Sequence, residues 1–332
     1  MEKEIRILYL AKYAPNNNGT RPPYDELHKV YAEYHYKIYQ ILTNNFGIVI
    51  SSNNPSLILK PPKEINYVFS LFNRFPIRNS EIFVSSVAEY YKLSYLGAPP
   101  NIRALAEDKY LTKMLAQYAN IPTAKGAVYS KVGNVLQQPQ FDGPYFIKPR
   151  FGASSMFIEV DSICNTWDEA KARIYKLFEL DQDVILEEFI DGVYYTSPVL
   201  NNFSDTMLLP CIEEISNLAG NVVTYEQKRK LHGGLTRKIL NDKNLSNQLM
   251  NYSKRLFNLI QPLDYTRFDY IVDKEKGIPH LLEFNVCCNL GENSTVSQAA
   301  KQIGINYEQL ILNIIYSSFW RNGLSDRLDY KF

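Results

Sequence analysis

The chain of 332 residues is 45% hydrophobic and 21% charged, and its 36 basic against 35 acidic side chains leave a formal charge of +1. That composition belongs to a globular protein with room for two or three buried cores, and its charge offers no footprint for nucleic acid or an anionic membrane. No apolar run approaches the roughly 20 residues of a membrane span, and the charged start Met1-Glu2-Lys3-Glu4 is no secretory signal, so the expected compartment is the cytoplasm.

In chain order, a strand at 5–10 runs into the polar loop Asn16-Asn17-Asn18-Gly19 and then Arg21-Pro22-Pro23. The spacing of Leu27, Val30, Tyr31, Tyr34, Ile38, Ile41 and Leu42 predicts a helix over 24–42. Strands at 48–51 and 67–71 and a helix at 81–92 follow, an alternation that predicts a small α/β domain over residues 1–100. Gly97-Ala98-Pro99-Pro100 punctuates its end. A helix over 104–118, with Leu111, Met114, Leu115 and Tyr118 as its buried stripe, stops at Asn120 ahead of Pro122. Strands at 127–129, 145–149 and 156–160, a helix at 167–178 and a strand at 184–190 make an α+β unit over 101–190. The third unit, 191–332, holds strands at 194–200, 208–213 and 222–226, a helix at 245–260, and a hairpin of strands 265–272 and 280–286. A helix at 307–319 is entered through Asn306 with Gln309 three residues on, a capping-box pattern. Cys164, Cys211, Cys287 and Cys288 lack metal-ligand spacing and read as free thiols; His28 and His35 read as surface or satisfied core positions.

The hairpin carries the most chemistry. Its link, Asp273-Lys274-Glu275-Lys276-Gly277-Ile278-Pro279, has the charge, Gly and Pro of a turn. Folding about Lys276 sets 271 opposite 281, 269 opposite 283 and 267 opposite 285. Directly opposed residues share a face, so Arg267, Asp269, Glu283 and Asn285 lie on one side. Phe268, Tyr270, Leu282, Phe284 and Val286 lie on the other as core. Opposed carboxylates repel unless a cation sits between them, and two carboxylates with an amide oxygen suit Mg²⁺. A hairpin with one wet side also alternates polar residues, and a one-residue slip would undo the pairing.

Upstream, Lys148 sits in the apolar strand Tyr145-Phe146-Ile147-Lys148-Pro149, where a buried ammonium calls for an anion. The following Gly152-Ala153-Ser154-Ser155 could wrap amides and hydroxyls around phosphate oxygens, although a plain turn has the same composition. Lys109 begins the exposed side of a helix; alone it reads as solvated. Glu187-Glu188-Phe189-Ile190 closes a buried strand and passes into Asp191-Gly192, a hinge whose backbone could meet an adenine edge. One phosphate site explains all four features in this order.

The order resembles the ATP-grasp ligases, in particular their D-alanine–D-alanine ligase-like branch. The matching text is Glu107-Asp108-Lys109-Tyr110-Leu111-Thr112-Lys113, Ile121-Pro122-Thr123, Ile147-Lys148-Pro149 with Ser154-Ser155, and Glu187-Glu188-Phe189-Ile190-Asp191-Gly192. It continues through Arg267-Phe268-Asp269, Glu283-Phe284-Asn285 and Ala299-Ala300, over roughly 80–320. The resemblance implies an α/β (α+β) ATP-grasp fold of three domains: a Rossmann-like domain (1–100), a central subdomain (101–190) and a C-terminal subdomain (191–332) with ATP between the last two. It implies Lys109, Lys148 and Lys228 on the phosphates, Ser154 and Ser155 in the loop over them, and Glu187, Glu188, Phe189 and Ile190 around adenine. Asp269, Glu283 and Asn285 would hold two Mg²⁺, or Mn²⁺ in their place. Arg267, Lys228 and Ser155 would act in catalysis, with Arg229, Asn285 and Ser294 toward substrate.

Some positions depart from the family pattern. Tyr194 stands where the family has a ribose-binding glutamate, Arg229 where a tyrosine is usual, and Cys288-Asn289 where Pro-Gly is usual. The N-terminal glutamate that orients the first amino acid has only Glu26 as a stand-in. The implied activity is a carboxylate–amine ligase for small amino-acid-like substrates, acting through an acyl phosphate. Alternatives are a D-alanine–D-alanine ligase proper, a ligase of a larger natural-product acid, and a nucleotide-binding module without turnover. A homodimer through the N-terminal domain is also implied, with no nucleic-acid or membrane partner.

Overall fold

A computed structural model of the chain describes residues 4–73, 75, 77, 80–132, 136–152, 156–216 and 235–324. Strands β1 (Arg6–Leu10), β2 (Ile48–Ser52), β3 (Tyr67–Ser70) and β4 (Ser94–Tyr95) form a parallel sheet in the order β2-β1-β3-β4. Parallel neighbours need crossovers, and α1 (Lys29–Asn45) and α2 (Ile82–Tyr90) provide two of them. Helix α1 begins later than its apolar spacing predicts, behind a 3₁₀ turn, Glu26–His28, capped by Asp25. Only its later part meets the sheet, so Ala32, His35, Ile38, Ile41 and Leu42 are buried while Leu27, Val30 and Tyr31 stay exposed.

The predicted helix over 104–118 is two helices, α3 (Pro100–Glu107) and α4 (Lys109–Tyr118), broken at Asp108. Asp108 leaves helical geometry (φ −96°, ψ 101°) and accepts from the amides of Tyr110 and Leu111, an N-cap. Helix α4 is inverted relative to its apolar stripe. Lys109, Thr112, Lys113 and Ala116 are buried, whereas Leu111, Met114 and Tyr118 are exposed. The cause is long-range: both lysines turn inward to oxygen acceptors supplied by later parts of the chain, Lys109 to the Gly152 carbonyl and Lys113 to the Glu187 carboxylate.

The second sheet is antiparallel, β5 (Gly126–Tyr129), β6 (Tyr145–Pro149), β7 (Ile163–Cys164) and β8 (Val184–Glu188) in the order β5-β8-β6-β7. Helix α5 (Trp167–Glu179) closes its core with Ala170, Ile174, Leu177 and Phe178. The strand predicted at 156–160 does not form. Phe157 has φ +59°, and Arg173 binds the Phe157 carbonyl together with Glu159 and Asp161, which pins the segment as a loop running into a 3₁₀ turn at Val160–Ser162.

The third sheet contains β9 (Gly192–Asn202), β10 (Asp205–Leu208), β11 (Ile212–Ser216), β12 (Leu235–Ile239), β13 (Tyr265–Asp273) and β14 (Pro279–Asn285). Its order is β12-β11-β9-β13-β14, with β10 paired to β9. The single strand predicted at 208–213 is divided between β10 and β11, with Pro210 in the gap, and the predicted strand 222–226 lies outside the described residues. Helices α3, α4 and α6 (Lys243–Leu259) cover one face of this sheet. Helix α7 (Thr295–Gln302) was not predicted; Ser294 caps it by accepting from the Ser297 amide. Helix α8 (Tyr307–Arg321) has the expected reciprocal Asn306–Gln309 capping box and returns to the first sheet, packing Ile311, Ile315 and Phe319 with Ile7, Tyr9, Tyr67 and Phe69. Among the described residues no helix is long and apolar enough to cross a membrane.

Candidate functional site

A cleft with about 1150 Å³ of empty space, open to solvent, lies between the second and third sheets. Lys109, Lys148, Gly152, Glu187 and the hinge Glu188–Ile190 line it from one side, and Tyr194, Thr196, Glu214, Asp269, Leu282 and Glu283 from the other. The sheet ends meet where β8 passes through Asp191 into β9. Gly192 is required there: a Cβ would sit 2.5 Å from the Val272 carbonyl oxygen and the Ile271 side chain.

On the first side, the apolar strand β6 carries Lys148 inward, and β8, directly paired with it, carries the anion. Lys148 Nζ lies 2.9 Å from Glu187 Oε2. Lys113, one turn along α4 from Lys109, reaches the other oxygen, with Nζ 3.0 Å from Glu187 Oε1. All three side chains are nearly inaccessible. Burial pushes the Glu187 carboxyl up, but Lys113 and Lys148 overcome this and hold it below its usual value. Burial drives Lys113 below the ordinary lysine value despite the carboxylate beside it. Lys109, which read alone as solvated, is buried and donates to the Gly152 carbonyl at 2.6 Å. Arg150 pairs with the capping Asp108 at 2.7 Å, joining the start of α4 to the end of β6.

At the hinge, the Glu188 amide is engaged by the Lys125 carbonyl (3.0 Å) and the Phe189 amide by the Pro144 carbonyl (2.9 Å). Among the described residues, no backbone partner takes the amide of Ile190. The Glu188 carboxylate accepts from the Lys125 amide.

The hairpin register pairs Arg267 with Asn285 and Asp269 with Glu283, as the alternation predicts. Beyond Asp269 a bulge shifts the strands, so Tyr270 faces Leu281 and Ile271 faces His280 rather than 281. Leu281 consequently enters the core and Leu282 turns into the cleft, which corrects its assignment as core. Phe268, Tyr270, Phe284 and Val286 are core as expected. Asp269 Oδ1 accepts from Thr196 Oγ1 (2.8 Å), while its Oδ2 accepts from Asn285 Nδ2 (3.0 Å) and Arg267 Nη2 (3.2 Å). Burial opposes the Arg267 charge, but Asp269 and Glu214 more than reverse this and hold it above the ordinary arginine value. Glu214 in turn binds Arg237 Nε at 2.8 Å. The donor set Asp269, Glu283 and Asn285 is all oxygen, and two carboxylates directly opposed across the strands fit a hard divalent cation.

Tyr194 lines the cleft, and burial pushes its hydroxyl up to about 12. Ser294 is buried, and its hydroxyl is used at the start of α7. Glu26 is exposed and pairs with Lys29 at 3.4 Å; it does not reach the cleft. Ser154, Ser155, Lys228 and Arg229 lie outside the described residues. None of the four cysteines forms a disulfide. Lys113, Thr196 and Glu214 were not singled out from the sequence. Only Lys113 had a usable signal there, since it follows Lys109 by four residues on one helical face.

Residues 115–316 match the family model described as D-ala D-ala ligase C-terminus. A D-alanine--D-alanine ligase of Carboxydothermus hydrogenoformans is 28% identical over 247 residues, covering 70% of this chain and 75% of that protein. D-alanine--D-alanine ligase B of Clostridium perfringens is 26% identical over 269 residues, 80% of this chain and 85% of that protein. The crystal structure of the Bacillus anthracis D-alanine--D-alanine ligase complexed with ATP superposes with a TM-score of 0.73 at 18% identity, covering 96% of this chain and 99% of that one. With a family model spanning more than half of its residues and an ATP-grasp fold matched over 96% of its length, the chain belongs to the D-alanine–D-alanine ligase-like family of ATP-grasp ligases.

Proposed function

We propose that the protein joins a carboxylic acid to an amine using ATP. The γ-phosphoryl group passes to the substrate carboxylate, giving an acyl phosphate and ADP. The amine then attacks the acyl carbon, phosphate leaves and an amide forms. Phosphorylation is needed because a carboxylate oxygen is a poor leaving group, whereas phosphate is a good one. The observation that carries this reading is the single cleft, with buried lysines on one wall and opposed carboxylates beside an arginine on the other.

In this reading Lys109 and Lys148 hold the phosphates, and the Ile190 amide, without a backbone partner among the described residues, meets the adenine edge. Arg267 steadies charge as the phosphoryl group moves. Asp269, Glu283 and Asn285 would hold Mg²⁺, two ions or Mn²⁺ in their place, which supplies charge neutralisation between the phosphates. Ser154, Ser155 and Lys228 are assigned to the phosphates and Arg229, Asn285 and Ser294 to the substrates by the family pattern alone. Domain limits at 1–100, 101–190 and 191–332, a homodimer and a cytoplasmic location belong to the same reading.

Small amino acids are the proposed substrates, and D-alanine is the first pair to try, because both named relatives are D-alanine--D-alanine ligases. Incubation with Mg²⁺-ATP and amino-acid pools, followed by phosphate release, is the test. Release that depends on particular acid–amine pairs supports a ligase. ATP binding with no release from any pool would instead favour a module without turnover.

A further inference from the structure

The cluster Lys113–Glu187–Lys148 holds two ammonium groups and one carboxylate in a space closed to water, yet only Lys148 and Glu187 face the cleft. Lys113 is 1% exposed and does not itself line the cleft; its Nζ also meets Thr123 Oγ1 at 3.1 Å, and that hydroxyl donates to the Leu281 carbonyl in the hairpin bulge. The next acid, Glu188, is partly exposed and held by Lys125. The buried group therefore keeps one positive charge in excess.

Water screens such a charge poorly when it is buried, so its field acts through the cleft floor on whatever binds there. Lys113 and Lys148 approach different oxygens of Glu187, so among the described residues Lys148 engages the carboxylate through Oε2 alone and can turn its remaining N–H groups to a ligand. We propose that Lys113 is a positioning residue that, through Glu187, gives the cleft its preference for a nucleoside di- or triphosphate over the bare nucleoside. This rests on the nucleotide reading above.

The test measures dissociation constants of Mg²⁺-ADP and adenosine by calorimetry on the full chain, for the wild type and for K113M, E187Q and K113M/E187Q. The cluster charge falls from +1 to 0 in K113M, rises to +2 in E187Q and returns to +1 in the double variant. K113M should weaken ADP about tenfold or more while adenosine changes less than about threefold. E187Q should raise the ADP-to-adenosine preference about tenfold, and the double variant should return it to within about threefold of wild type. If K113M does not fold, the comparison of E187Q with the double variant reads the same charge step and should show the same drop in preference. A K113M protein that keeps the preference, or loses ADP and adenosine equally, overturns the proposal, and so does a double variant that fails to restore it. A wild type that binds neither ligand refutes the nucleotide reading itself, a separate failure.

Discussion

At the scale of single residues, Glu283 and His35 show how differently a polar group can serve this chain. Glu283 faces Asp269 across the strands, with Arg267 close enough to feel both charges, in the place of a metal ligand. Glu283→Gln should therefore cut turnover by about a hundredfold or more, while the metal-free protein keeps its cooperative unfolding. Full activity in an acid–amine ligation assay would remove Glu283 from the metal set. His35 is buried, its Nδ1 accepts from the Tyr13 amide at 3.1 Å, and burial, with Lys12 nearby, lowers its pKa to about 3. The unfolded chain takes up a proton below about pH 6.5 and the native chain does not, so this residue's stabilisation is complete above that pH and shrinks on acidification. Between pH 6.5 and 5 the loss is about 2 kcal/mol. His35→Asn keeps an acceptor for Tyr13 and should flatten that part of the stability–pH curve; an unchanged slope would assign the acid sensitivity elsewhere. The hairpin pairs were legible in the sequence because strand periodicity fixes faces. Lys113 was not, because its acceptor lies on β8, far along the chain.

At the scale of elements, α4 departs furthest from its sequence pattern. Apolar spacing assigns Leu111, Met114 and Tyr118 to the core, yet the Gly152 carbonyl draws Lys109 inward, the Glu187 carboxylate draws Lys113 inward, and that stripe turns outward. A periodicity argument weighs only the helix itself and cannot see acceptors brought by other strands. Leu111→Ala should thus change unfolding free energy by no more than about 0.5 kcal/mol, as at an exposed site, against the roughly 2–5 kcal/mol of a buried leucine. Chemical denaturation of the two proteins decides between these values. The bulge after Asp269 was equally hidden, since Leu281-Leu282 offers two leucines in a row and only the partner strand selects which one is core. The α8 capping box, by contrast, was legible because both of its members lie within four residues.

For the molecule as a whole, the order of α/β and α+β units was readable along the sequence, whereas the way they lock together was not. Asp264, fully buried, binds Arg321 at 2.6 Å and also accepts from the Gly97 amide, while Arg321 reaches the carbonyls of Tyr95 and Gly97. Three distant segments meet at this one carboxylate. Asp264→Ala leaves the guanidinium without its counter-charge and should cost about 3–5 kcal/mol, measured by thermal or denaturant unfolding, with loosening of both the first sheet and α8. A loss below about 1 kcal/mol would show that the pair is not a clamp. The same return of α8 has a bearing on biosynthesis. Ile7, Tyr9 and Phe69 emerge early from the ribosome, but Ile311, Ile315 and Phe319, which cover them, are translated some hundreds of residues later. At ordinary elongation rates, the nascent first sheet would keep an open greasy flank for roughly 10–50 s. A chaperone that holds incompletely folded chains would have its natural target there.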